Sequence, residues 1–461
     1  MKRISNRAVS VLVIAALVIC GMISYVIRYV DNGSKWAMYF SRANSGSSGE
    51  LVDRNGTRLA YFSGYENSFS EDELTRKANY HVTGDYWGRT GTGVLSEYAG
   101  ELQGFDLIHG TTQTEKSRLI LNIDSRLNNI IYRQLFQLTK AGVQDQYSLD
   151  EYGNDVIVRA ERYNAAVLVC NYKTGELLGM VSMPTVDPLD ADAVPAEGAY
   201  INRCISASFV PGSVFKIITS IAAVENLKNL EEKHYYCEKF YEIAGVPIVC
   251  SGVHYNQTFE QALANSCNVA FSQITVSLGQ DTMIKYVKDL GILSGHDLDG
   301  IPTATGSYPT EFVGDPELAW SGIGQSTDLV CPYSLLRIVS AIANGGTLNE
   351  PKLLRDGSSV KTTHLLSKKT ADKMKELMAF NVSYHYHGDD NFPGLKLCAK
   401  TGTAETGYGT THSWFAGFLD DTEHPYAFVT FIEDGGDGLG VAGLTTNRIL
   451  QNYLKVLGEN Q

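Results

Sequence analysis

Nowhere in this sequence do lysines and arginines cluster among aromatic residues, and its formal net charge is −13. A polyanionic partner needs a basic footprint, so nucleic acid is excluded as a ligand. No internal repeat or low-complexity tract appears, which sets aside repeat arrays and disordered scaffolds. Only 19% of the 461 residues are charged and 44% are hydrophobic, a balance that suits globular domains with real cores. A second apolar run of membrane length is also missing, so one crossing is expected at most. No small-x-small cleavage site follows the first run at once, because Ser41-Arg42-Ala43 is too distant.

What is present begins with that first run. Residues 8–27 are apolar and uncharged, long enough to cross a bilayer, and Lys2, Arg3 and Arg7 precede them. Arg28, Lys35 and Arg42 follow, so the charge asymmetry is modest. An uncleaved single-pass anchor is expected, with a cytoplasmic N-terminus and everything after about residue 30 outside. Residues 31–48 are polar and read as a flexible link. Asn55-Gly56 between two alternating runs signals a hairpin, and residues 80–110, rich in Gly, Tyr and Trp, suggest a small β-containing module.

Further on, 119–124 reads as a strand, and Asp124 or Ser125 caps a helix to about residue 141. The polar stretch 142–160 is a plausible boundary. Strands are expected at 165–171 and 176–183 around Lys173-Thr174-Gly175, then helices at 258–264, 268–279, 282–290, 331–344 and 369–380. The period changes again at 395–400, 413–419 and 426–433, read as strands before a closing helix at 446–457. Strands at both ends with helices between imply one sheet built from distant segments, covered by helices, with a helical insert.

There are eight cysteines. Cys170, Cys204, Cys267, Cys331 and Cys398 sit in apolar or tightly patterned stretches and read as small buried residues. Cys237 and Cys250 flank a segment with a turn at Ala244-Gly245, and outside a membrane that pair is expected to close a disulfide in preference to standing as free thiols. Zinc ranks behind both, since His234 and His254 lie nearby without a standard finger spacing.

Three short motifs carry chemistry. In Pro211-Gly212-Ser213-Val214-Phe215-Lys216, a glycine permits a tight turn into an apolar helix, and Ser213 and Lys216 share one helical face. A lysine in apolar surroundings has its pKa lowered, so its neutral amine can take the serine proton. Ser266 and Asn268 straddle Cys267 at a helix junction, where a turn can aim a hydroxyl and an amide into one cleft. Lys400-Thr401-Gly402-Thr403 ends a strand whose glycine leaves backbone groups accessible to an extended ligand, with Lys400, Thr401 and Thr403 placed to read a carboxylate. Each motif alone has a plain explanation, as an N-cap, a surface lysine or a charged strand end.

In this order, Ser-x-x-Lys, Ser-x-Asn and Lys-Thr-Gly resemble the penicillin-binding proteins and serine β-lactamases. The chain resembles the class B, monofunctional transpeptidase kind, over nearly its whole length and most weakly over 62–118 and 350–390. Residues 167–180, Asn202-Arg203, Gly322-Ile323-Gly324-Gln325, Ala343-Asn344-Gly345-Gly346, Ser413-Trp414-Phe415-Ala416-Gly417 and Asp53-Arg54-Asn55-Gly56 fall in family order. It departs from the pattern at Cys267, whose side chain is expected to point away from the cleft, at Ser326, and after His254, where a glycine is often found.

The resemblance implies an α/β (α+β) fold, with an antiparallel sheet covered by helices plus a helical subdomain. It also implies a cytoplasmic tail at 1–7, an anchor at 8–28, a membrane-proximal module at 29–155 and a transpeptidase domain at 156–461. The implied activity is cross-linking of peptidoglycan stem peptides, with β-lactams as substrate mimics. Ser213 would attack the penultimate D-Ala carbonyl and Lys216 would be its base. Ser266 would pass the proton to the leaving amine and Asn268 would hold the substrate amide. Lys400, Thr401, Gly402 and Thr403 would bind the terminal carboxylate and backbone, and the Ser213 and Thr403 N–H groups would form the oxyanion hole.

No metal or other cofactor is expected. The implied partner is a separate multi-span glycan polymerase, a glycosyltransferase of the SEDS type, because 31–155 is short and lacks a clustered glutamate motif. The alternatives are a membrane-anchored DD-carboxypeptidase or β-lactamase, a β-lactam sensor, or a scaffold with a vestigial serine. Glu317, in Asp315-Pro316-Glu317-Leu318, superficially resembles a hydrolase base but reads as structural.

Overall fold

The structure, a computed structural model, describes residues 2–40, 48–63, 66–85, 87–103, 105–106, 110–111, 117–140, 146–149, 155–158, 161–190, 194–325 and 327–458. Its centre is a five-stranded antiparallel sheet in the order Leu177–Met183, Ala165–Asn171, Tyr426–Ile432, Thr411–Leu419, Leu397–Glu405. The inner strands read as continuous apolar runs because both faces are covered. Alternation then sorts the side chains. Ala166, Leu168, Val429 and Phe431 join one core with Leu335, Ile338 and Val339 of the helix Pro332–Ala343. Val167, Val169, Phe428 and Ile432 join a second core with Leu127 and Ile131 of Ser125–Gln137 and Ile449 and Leu450 of Leu444–Gly458.

The sheet is therefore assembled from both ends of the domain, as the period changes predict. The helices between form the helical part of the first core, among them Lys216–Asn226, Phe259–Ala264 and Asn268–Leu278. Their ends are legible in the residues. Thr258 and Gln261 form a reciprocal capping box, and Gly279 ends the Asn268 helix.

Before this domain, Ser48–Val52 and Arg58–Ser63 pair antiparallel across the expected Asn55-Gly56 turn, and Ser48–Val52 also pairs in parallel with Ser117–Ile120. Over the expected β-containing stretch 80–110 the described residues hold the short helices Tyr80–Thr83, Val94–Glu97 and Ala99–Gln103, followed by Phe105–Asp106, which pairs antiparallel with Gly110–Thr111. Gly84 and Gly93 separate the first two, their backbones so close that a Cβ on Gly93 would meet Gly84 Cα at 2.5 Å. The expected boundary 142–160 and Ser326 fall largely outside the described residues. The link expected from residue 31 is helical as far as described, since the first helix runs Lys2–Phe40 without a proline to stop it. Ala8–Tyr29 within it is long and apolar enough to cross a membrane, and none of it is buried.

Candidate active site

Ser213 lies in the 3₁₀ turn Gly212–Phe215, which feeds directly into the helix Lys216–Asn226. Gly212 has φ +52°, and a Cβ there would stand 2.7 Å from Thr403 O and Ala404 Cα. Glycine is thus what lets the nucleophile turn lie against the strand Leu397–Glu405. From behind, Gly212 N–H donates to Gly324 O at 2.9 Å and Thr219 Oγ1 donates to Gly322 O at 2.6 Å. The Gly322–Gln325 segment therefore supports the turn.

Lys216 is fully buried, and its Nζ gathers the first two motifs. It lies 2.8 Å from Ser213 Oγ, 2.9 Å from Ser266 O, 3.3 Å from Ser266 Oγ and 2.8 Å from Asn268 Oδ1. The Ser266 carbonyl and the Asn268 amide oxygen can only accept, so each takes a lysine N–H. Ser213 Oγ, which can donate, faces the amine's remaining position. Asn268 is oriented for this by donating Nδ2–H to Val249 O at 3.0 Å. Desolvation pulls Lys216 down to about 8, so roughly a tenth of it is neutral at pH 7, far more than for an ordinary lysine.

The third motif closes the cleft. Lys400 Nζ, also fully buried, donates to Ser266 Oγ and Thr401 O, each at 3.0 Å. Burial first, and then the Lys216 charge, hold it well below the ordinary lysine range. Ser266 Oγ thus bridges two amines in a continuous chain from Ser213 to Lys400. Leu397–Glu405 is an outer strand of the sheet, with Thr403 exposed on it. Gly402 packs on the nucleophile turn, where a Cβ would meet Val214 Cγ1 at 2.9 Å. The structure brings Ser213, Lys216, Ser266, Asn268, Lys400, Thr401, Gly402 and Thr403 together in one cleft.

Two features escaped the sequence reading. Buried Tyr386 accepts the Thr401 N–H at 3.1 Å and pairs with Thr401 Oγ1 at 3.1 Å, fixing the strand end, and nothing in the local sequence marks it. The second is a correction. Cys237 and Cys250 are not joined in a disulfide; their thiols are free and gather with Cys267 and His254 in one group that could hold a metal ion. The spacing Cys-x12-Cys-x3-His followed by Cys267 was the available signal, but pairing two cysteines by proximity hid the third. Glu317 Oε2 accepts the N–H of Val313 at 2.6 Å at the start of its own helix, a structural use of the carboxylate.

Residues 165–451 match the family model described as the penicillin binding protein transpeptidase domain. The chain is 33% identical over 252 residues to stage V sporulation protein D of Bacillus subtilis, covering 51% of this chain and 39% of that protein. It is 27% identical over 321 residues to the peptidoglycan D,D-transpeptidase PbpA of Mycobacterium tuberculosis, covering 60% and 63% respectively. The chain thus spans less than two thirds of either relative. The ceftriaxone acyl-enzyme structure of penicillin-binding protein A from M. tuberculosis superposes with a TM-score of 0.71 at 21% identity, covering 88% of this chain and 98% of that one.

Proposed function

The chain belongs to the penicillin-binding protein transpeptidase family, and from that premise we propose that it is a serine D,D-transpeptidase that cross-links peptidoglycan stem peptides. The observation that carries the reading is the desolvated Lys216 amine between Ser213 Oγ and the Ser266–Asn268 pair, opening onto an outer sheet strand. In this account a stem peptide lies along Leu397–Glu405 as an added strand, its terminal carboxylate beside Lys400, Thr401 and Thr403 and its backbone passing over Gly402. Ser213 Oγ attacks the penultimate D-Ala carbonyl while neutral Lys216 takes its proton. The Ser213 and Thr403 N–H groups receive the developing oxyanion.

The C–N bond then breaks, and terminal D-Ala leaves with a proton delivered through Ser266 Oγ. The amine of a second stem peptide attacks the ester, gives up a proton along the same chain, and frees Ser213. Asn268 holds the donor amide and the lysine at once. β-Lactams acylate the same serine in place of the peptide. The hydrolytic alternatives need a base for water, and Glu317 is engaged by its own loop.

Placement follows the same proposal. The helix over 8–29 anchors the chain by a single pass from a cytoplasmic tail at 1–7, and the catalytic domain at 156–461 stands outside on the module at 29–155. The anchor and module are the surfaces proposed to meet a multi-span glycan polymerase of the SEDS type. An assay of the detergent-solubilised full chain with a D-Ala-ended peptide thioester tests the reaction class. Added D-amino acid acceptor should divert the acyl group from water to amide product. Hydrolysis alone, indifferent to acceptor, would move the assignment to a carboxypeptidase.

A further inference from the structure

Beneath the floor of the cleft lies a group of side chains that the proposed reaction does not use. Cys237 ends the strand His234–Cys237, Cys250 follows the hairpin Phe240–Ile243/Val246–Val249, and Cys267 is the N-cap of Asn268–Leu278. The three sulfurs and a ring nitrogen of His254 all lie within 4.8 Å of one another. The chain is folded to bring them there. Ala244 and Gly245 have φ of +47° and +83°, the hairpin returns so that Cys250 N–H donates to Lys239 O at 2.7 Å, and His254 N–H donates to Cys237 O at 3.0 Å.

The spacing fits a metal centre and not a disulfide. Cys250 Sγ is 3.9 Å from Cys267 Sγ and 3.6 Å from His254 Nδ1. A disulfide needs about 2.0 Å between sulfurs. Ligands at about 2.3 Å for sulfur and about 2.0 Å for nitrogen around a tetrahedral ion stand about 3.8 Å (S to S) and about 3.5 Å (S to N) apart. Two backbone donors already point at sulfur, Asn268 N at 3.3 Å from Cys250 and Ala270 N at 3.4 Å from Cys267, which stabilises thiolate. All three cysteines are buried, at 2% exposure or less.

We propose that Cys237, Cys250, His254 and Cys267 bind one zinc-class divalent cation as a closed Cys₃His site that fixes the turn carrying Ser266 and Asn268. Four protein ligands leave no open position for water, so the ion acts structurally and not as a reagent. Ser266 has φ +52°, a left-handed conformation that a serine holds only when its neighbours impose it. A metal on Cys267, with the Asn268 N–H bound to a second ligand, imposes it from both directions. Ser266 and Asn268 are the groups that hold Lys216, so the ion is a positioning element for the catalytic amine. That second half rests on the proposed function, whereas the metal site stands without it.

The experiment uses the full chain in detergent. Elemental analysis of the native protein and of its Ser213→Ala variant should find about one zinc per chain. Exchange for cobalt(II) should give a thiolate-to-cobalt charge-transfer band with the strong visible bands of a tetrahedral site. Cys237→Ser, outside the three motifs, should lose metal; if it fails to fold, cobalt exchange on the native chain still decides. Chelation should slow acylation by benzylpenicillin by roughly tenfold, with zinc restoring it. Three free thiols with neither zinc nor cobalt bands, or a Cys237–Cys250 disulfide by mass, overturns the site. Bound metal whose removal leaves acylation unchanged overturns the positioning role. Because metal content is also read on the Ser213→Ala variant, it does not depend on the enzyme reading.

Discussion

Lys216 decides the chemistry because burial and crowding by acceptors act on it in opposite directions. Two obligate acceptors, Ser266 O and Asn268 Oδ1, hold its N–H groups, while desolvation brings its pKa down to about 8. The neutral, proton-accepting form therefore grows as pH rises through about 8 and falls about tenfold per unit below it. Benzylpenicillin acylation followed by stopped-flow should rise over that range and then level. A rate flat from about pH 6 to about pH 10 would remove Lys216 as the base. Lys216→Arg keeps the charge but cannot deprotonate, and should slow acylation by about 10³-fold while leaving the fold intact by circular dichroism.

At the level of elements, the site exists because the turn at Gly212 and the strand Leu397–Glu405 approach without side chains between them. Gly324, at φ +77°, is the support on the far side, where a Cβ would press into the Gly212 carbonyl oxygen and Phe215 Cβ. Neither backbone can give way cheaply. Gly324→Ala should lower the thermal midpoint by the equivalent of about 2 kcal/mol and slow acylation by displacing the Gly212 turn. An unchanged melting curve would show that the turn does not depend on this backing.

Over the whole molecule, the module and the catalytic sheet share elements and ion pairs. Ser125–Gln137 covers one face of the sheet, and Arg76 makes a two-pronged pair with Asp187 at 2.8 and 2.7 Å. Arg76→Ala should cost about 2 kcal/mol in urea unfolding, with the double variant Arg76→Ala/Asp187→Ala recovering part of it. The sheet strands and the helices from 258 and 268 were legible from local pattern, and motif order singled out the eight residues that the fold gathers around Lys216 and Lys400. Tyr386 was not, since it reaches Thr401 only through the folded chain, and the Cys237–Cys250–His254–Cys267 group was obscured because a Cys237–Cys250 disulfide accounts for two of its members and leaves Cys267 out. The helical character of 80–103 was hidden by glycines that stop helices as readily as they turn strands.

If Ser213 is a nucleophile whose acyl-ester resists water, intact mass spectrometry after benzylpenicillin treatment of the full chain and of Ser213→Ala should show one long-lived adduct on the native protein and none on the variant. Rapid loss of the native adduct, or an equal adduct on Ser213→Ala, would contradict it.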